Sequence, residues 1–216
     1  MKYNPNLHHR RSIRLKEYDY SQAGSYFITI CCQDKLHRFG KIENNNIILN
    51  EYGTIAYNEW IKLPQRFTNL ELDVFQIMPN HMHAIIVLNN STVGAGLAPA
   101  PNYIDDTKYN EIPFCPGNII NEYFFDPNNN DTLQTFRAGA SPAPTVGGII
   151  GAYKSLVANN CLDIFKIQNK ADVYMGKLWQ RNYYEHIIRN EQSYQTIACY
   201  IINNPAKWKD DKFYIE

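Results

Sequence analysis

The hydrophobic positions of the chain follow two periods that alternate along its length. Residues 25–32 form a β-type run containing Tyr26, Phe27, Ile28, Thr29 and Ile30, entered from the breaker Gly24, and predict a first strand. Phe39, Ile42, Ile47, Ile48 and Leu49, set around the turn formers Asn44, Asn45 and Asn46, predict a small hairpin appended to that strand. From Asn50 the period becomes helical. Ile55, Ala56, Glu59, Trp60 and Leu63 fall at helix spacing, with Asn50 placed to cap them and Pro64 to stop them. Residues 70–78 return to alternation, Leu72, Val74, Gln76 and Met78 against Asp73, Phe75 and Ile77. Pro79 and Asn80 then turn the chain into the apolar, β-branched run 81–88, which predicts an antiparallel hairpin.

Residues 90–145 break both periods. They are rich in Asn, Pro, Gly and Ala and read as an irregular insertion. Helical spacing resumes at Gly147, with Ile149, Ile150, Tyr153, Leu156 and Val157 on one face, and predicts a helix over about 147–162. Residues 178–189 contain a last strand. Asn190 or Ser193 then caps a final helix that runs to about Asn204 and is limited by Pro205. With the insertion set aside, the order is strand, helix, strand, strand, helix, strand, helix. This predicts an α+β, ferredoxin-like (RRM-like) fold: a four-stranded antiparallel sheet with helices on one face, and a C-terminal helix that carries Tyr200. Residues 1–24 form an arm and 25–216 one domain interrupted at about 90–145.

A chain of 216 residues, 44% hydrophobic and 13% aromatic, is long enough to bury a real core. Its formal charge is zero, which counts against a basic coat for nucleic acid. The positive charge is nevertheless concentrated at the start, in His8, His9, Arg10, Arg11, Arg14 and Lys16. Such an arm is either a solvated tail or a phosphate-contacting segment. Five cysteines without framework spacing, and no charged-then-apolar leader, predict a reducing cytoplasm. No apolar run approaches a membrane span.

The candidate chemistry lies in two stretches. Side chains alternate along a strand, so His81 and His83 share one face while Met82, Ala84 and Ile86 take the other. Two imidazoles so placed can converge on one divalent cation; the alternative is a pair of hydrogen-bonded core histidines. In the last helix, Tyr200 and Asn204 lie one turn apart on one face. Asn204 offers a carbonyl oxygen to a hard cation, and Tyr200 a phenol beside it. Packed against the histidine face, these groups suit phosphodiester cleavage by a tyrosine nucleophile. Tyr183 and Tyr184 are alternative nucleophiles, and a tyrosine packed on the sheet is the alternative role for Tyr200. Lys154 could reach a phosphate, and His186 could contact phosphate or orient a ligand.

In this order, His81-Met82-His83, the segment from Trp179, Gln180 and Arg181 through Glu185, His186 and Arg189, and Tyr200 with Asn204-Pro205 resemble the REP-associated tyrosine transposases. These are relatives of the single-tyrosine HUH transposases of insertion sequences. The opening Arg10, Arg11, Arg14 and Tyr18-Asp19-Tyr20 resemble that family's start. The resemblance implies that residues 25–216 are an HUH-type catalytic domain, with His81, His83 and Asn204 as metal ligands and Tyr200 as nucleophile. It further implies Mg²⁺ or Mn²⁺, single-stranded DNA with palindromic hairpins as partner, a 5′-phosphotyrosine intermediate, and a monomer in preference to a homodimer. Arg10, Arg11, Arg14, Lys154, Arg181 and His186 are its candidate DNA contacts.

Overall fold

The computed structural model describes residues 19–89, 144–168 and 175–215. Arg10, Arg11 and Arg14, and all of the expected insertion except its last two residues, lie outside the described residues. The described elements are β1 (Gly24–Cys31), β2 (Gly40–Glu43), β3 (Asn46–Leu49), α1 (Glu51–Ile61), α2 (Leu63–Arg66), β4 (Leu70–Ile77), β5 (His81–Leu88), α3 (Val146–Gln168), β6 (Tyr184–Ile188) and α4 (Glu191–Asn203). β4, β5, β1 and β6 lie side by side in that order, and every neighbouring pair is antiparallel. The expected α+β split order is the observed one.

The core face of the sheet carries Tyr26, Ile28 and Ile30 from β1 and Met82, Ala84, Ile86 and Leu88 from β5, all buried. α1 and α3 cover it. Trp60 and Tyr153 meet edge to face at 5.0 Å, and the Tyr153 hydroxyl donates to the Ala56 carbonyl at 3.0 Å. The buried stripe of α3, Ile149, Ile150, Tyr153, Val157 and Cys161, continues the expected periodicity, and the helix runs six residues past 162. α4 packs on the opposite face, chiefly over β4 and β5, through Ala198 and Ile201 against Val74 and Ile85. Asn50 and Asn190 cap α1 and α4, each accepting from the backbone N–H three residues on.

Several boundaries differ from the expectation, each for a local reason. The small hairpin is not hydrogen-bonded to β1. β2 and β3 form their own two-stranded sheet, closed by Asn44 and Asn45 at φ 49° and 62°, the left-handed geometry of a two-residue hairpin turn. Pro64 does not stop a helix. α1 has already ended, and Pro64 sits in the first turn of α2, where its missing N–H costs nothing. The alternation of residues 70–78 is broken by a bulge between Leu72 and Phe75. Leu72 therefore joins Phe75 and Ile77 on the core face, and Val74 turns to α4. At the bulge Asp73 accepts a hydrogen bond from the Tyr194 hydroxyl at 2.9 Å, which ties α4 to β4.

The segment leading into β6 is held by a reciprocal contact. Lys154 Nζ donates to the carbonyls of Gln180 (2.6 Å) and Arg181 (3.0 Å), while Trp179 Nε1 donates to the Lys154 carbonyl (3.1 Å). The expected phosphate contact at Lys154 is thus taken up by backbone, and partial burial pulls the lysine below its usual range. Lys154→Met keeps the stem and removes both bonds. Urea unfolding should then show a loss of about 1–3 kcal/mol, the cost of leaving such carbonyls without a charged donor.

Candidate active site

The site face of the sheet is the one opposite α1 and α3. His81 and His83 both lie there, fully buried, at the start of β5. Each ring is fixed through Nδ1. His81 Nδ1 donates to Asn80 Oδ1 at 2.8 Å, and Asn80 Nδ2 is itself anchored on the carbonyls of Lys35 and Phe213. His83 Nδ1 lies 2.8 Å from Thr29 Oγ1, on the adjacent strand. The second nitrogens face each other, Nε2 to Nε2, at 3.1 Å. Aromatic rings wall the pair: Phe27 stacks on His83 at 5.4 Å, and Phe213 lies 4.6 Å from His81.

α4 delivers Tyr200 to this pair. Its hydroxyl lies 3.1 Å from His83 Nε2 and donates to Asp211 Oδ2 at 3.1 Å. Asn204, one turn on, is buried and donates from Nδ2 to the same Asp211 oxygen at 2.8 Å. The other Asp211 oxygen accepts from the Phe213 backbone N–H. One ligand atom from each of His81, His83 and Asp211 falls within 4.8 Å of the others. Asn204 Oδ1 is buried with no hydrogen-bond partner.

The donors fit a divalent cation on several counts. Burial brings His81 down to about 3, with the Lys212 and Lys35 charges adding, and burial together with His81 holds His83 well below the usual imidazole range. Both rings are therefore neutral at physiological pH, the form that ligates metal. Nitrogens bound to one cation at about 2.0–2.1 Å would stand about 2.9–3.4 Å apart, and the observed separation falls inside that range. Their outer nitrogens are held by an amide oxygen and a hydroxyl, the arrangement that orients ligating histidines. Asp211 and the orphaned Asn204 oxygen supply hard oxygen donors. Burial pushes the Tyr200 phenol upward, Asp211 adds to that by charge and hydrogen bond, and a hydrogen bond from Asn204 opposes it.

The structure brings together His81, His83, Tyr200 and Asn204 as the sequence predicts. It sets the other candidates apart. Tyr183 packs with the main core, and Tyr184 stands on the outermost strand, across from Thr29. His186 and Arg181 are exposed at that same edge. Sequence reasoning missed Asp211, Thr29, Asn80 and Phe213. Thr29 was open to it, being on the predicted first strand. Asp211 carried no signal, since it reaches the site through a non-periodic turn. Among the described residues the cysteines join no metal-ligating cluster: Cys31, Cys32 and Cys161 are buried, and burial raises the thiols of Cys31 and Cys161 to about 11 and about 12. Among the described residues no helix is long and apolar enough to cross a membrane.

Fold and site together define a ferredoxin-like α+β protein with a helix-borne tyrosine beside a two-histidine, one-carboxylate cluster. The chain belongs to the same family as an uncharacterized protein of Haemophilus influenzae, to which it is 36% identical over 218 residues, covering 100% of this chain and 98% of that one. No family model matches it. Among solved structures it is similar to the REP-associated tyrosine transposase bound to a REP hairpin, at 18% identity and a TM-score of 0.44, over 92% of this chain and 77% of that one. It is also similar to a Deinococcus radiodurans protein described as a candidate transposase, at 13% identity and a TM-score of 0.39, over 88% of this chain and 95% of that one.

Proposed function

We propose that this protein is a transposase-like, metal-dependent DNA strand transferase that cleaves and rejoins single-stranded hairpin DNA through Tyr200. The observation that carries the reading is the 3.1 Å approach of the Tyr200 hydroxyl to His83 Nε2, itself 3.1 Å from His81 Nε2. A nucleophile and a set of metal donors that converge this closely are what a phosphodiester transesterification requires. The ordered motifs around His81, Trp179 and Tyr200 favour the same chemistry.

His81, His83 and Asp211 would hold Mg²⁺ or Mn²⁺, with Asn204 Oδ1 as a further oxygen donor. Mixed nitrogen and carboxylate ligation favours Mn²⁺ of the two. A bound cation would supply Lewis-acid polarisation of the scissile phosphate. Thr29 and Asn80 fix the imidazoles so that the rings need not reorganise. Asp211 orients the phenol by accepting its hydrogen and takes the proton as the Tyr200 oxygen bonds to phosphorus. The 3′ oxygen leaves with its bonding pair and is protonated. The products are a 5′-phosphotyrosine and a free 3′-hydroxyl, and attack by a 3′-hydroxyl on the phosphotyrosine reverses the exchange without a nucleotide cofactor. Arg10, Arg11, Arg14, Arg181 and His186 are the proposed phosphate contacts.

Denaturing electrophoresis of the protein mixed with a labelled single-stranded hairpin and Mn²⁺ tests the proposal. A protein–DNA adduct that survives denaturation is expected. Cleavage that never yields an adduct would make water the nucleophile, and binding with no cleavage would make the chain a hairpin-binding module.

A further inference from the structure

α4 covers β4 and β5 chiefly, so the site face continues outward past it, over β1 and β6. What stands on that continuation is aromatic. The register places Tyr184 opposite Thr29 and His186 opposite Phe27, and Thr29 is in turn opposite His83. Paired residues share a face, and the Thr29–His83 hydrogen bond fixes which one. His83, Thr29 and Tyr184 therefore form one row across three strands. Adjacent strands lie about 4.8 Å apart, so Tyr184 stands about 10 Å from the histidine strand. Phe27, half-buried, fills the space between His83 and the His186 position.

Tyr184 is 53% exposed, a large ring at the edge of a sheet whose other face is covered by α1 and α3. Among the described residues Tyr184 belongs to none of the buried clusters, so its exposed ring is available to a ligand. Arg181 and Arg189 are both exposed, one on each side of β6 in sequence, with Glu185 one residue along the strand from Tyr184, on the opposite face, and Glu191 beyond Arg189. The approach to the strand is rigid, because Lys154 and Trp179 hold residues 179–181 against α3. An exposed ring on a rigid strand, flanked by arginines and continuous with a site for phosphodiester chemistry, has the features of a stacking platform for unpaired nucleobases.

We infer that Tyr184 stacks an unpaired base of the single-stranded segment that adjoins the scissile phosphate. This rests on the proposed DNA substrate and adds a positioning residue to it. Tyr184 touches the flanking base and not the reacting atoms, so it sets where the strand lies rather than the chemistry of its cleavage.

The test is equilibrium binding, read by fluorescence anisotropy at fixed salt with the full chain. The probes are three DNA hairpins: one blunt, one with short thymidine tails, and one whose tails are abasic but keep every phosphate. Wild-type protein should bind the thymidine-tailed hairpin about 5- to 150-fold more tightly than the abasic-tailed one, the span expected for one stacked base. Tyr184→Ala should abolish that difference while leaving affinity for the blunt hairpin unchanged, and Tyr184→Trp should restore it. Tyr184→Ala that still discriminates thymidine from abasic tails overturns the inference, as does an equal loss on all three probes. A dimer in sedimentation that Tyr184→Ala dissolves also overturns it, assigning the ring to a second copy. Because binding is read without cleavage, the outcome is separate from that of the adduct assay. An enzyme that forms adducts but ignores tail bases defeats the platform alone, and one that stacks bases without forming adducts defeats the transferase alone.

Discussion

Tyr200→Phe should eliminate the proposed covalent protein–DNA adduct while hairpin binding stays within a fewfold of wild type. The substitution removes one oxygen and little else. The ring keeps its edge contact to Phe27 and its place beside His83, and α4 keeps its buried Ala198 and Ile201. What disappears is the atom 3.1 Å from His83 Nε2 and the hydrogen bond to Asp211. Loss of a nucleophile removes the covalent route altogether, so adduct yield should fall by at least about a thousandfold, as for nucleophile deletions in other covalent enzymes. Stability should change by only about 1 kcal/mol, since the hydroxyl is partly exposed and its lost bonds are ordinary. Denaturing electrophoresis and urea unfolding read the two quantities separately. A Phe variant that still forms adduct at the normal level would move the nucleophile elsewhere, with Tyr184 the next tyrosine on the same face.

The second large effect is on metal. Chelation with EDTA should abolish cleavage, and added Mn²⁺ should restore it. His83→Ala should remove measurable Mn²⁺ binding in calorimetry, because His83 Nε2 is the atom shared by the histidine pair and the tyrosine. Asp211→Ala should weaken Mn²⁺ by at least about tenfold, the scale of losing a ligand or its close support. Asn204→Ala separates the two oxygen donors. If Asn204 Oδ1 ligates, its loss adds to that of Asp211; if Asn204 only steadies the carboxylate, the two losses overlap. Binding should also be visible as stability. At about 100-fold over its dissociation constant, Mn²⁺ would add about 2.7 kcal/mol to wild type and nothing to His83→Ala. Cleavage unimpaired by EDTA, or an unshifted melting curve on adding Mn²⁺, would refute the metal centre.

Much of this site is legible in the amino-acid sequence because the periods of strand and helix dictate it. Alternation alone puts His81 and His83 on one face and Met82, Ala84 and Ile86 on the other, and the burial clusters divide them that way. The turn of a helix puts Asn204 beside Tyr200, and Asn50 and Asn190 are strong caps wherever they precede a helical run. The order of elements restricts a four-stranded antiparallel sheet to few connections, and the split one is found. Other features escape because they are exceptions to a period or have none. The bulge after Leu72 inverts the faces of half a strand without leaving a mark in composition. Lys154 looks like any helix lysine until the 180–181 backbone arrives beneath it.

Which side chains share a face is written in the chain itself, since it depends on near-neighbour geometry repeated every two residues or every turn. The histidine pair, the tyrosine with its asparagine, and the order of elements that could unite them all follow from that geometry. Three outcomes do not, and they belong to the folded protein. The last helix crosses the histidine face at β4 and β5, Asp211 folds back to the tyrosine, and the ring of Tyr184 is left uncovered at the edge. Those outcomes depend on how separate elements dock, and docking is set by summed burial across the whole sheet, which no local pattern encodes.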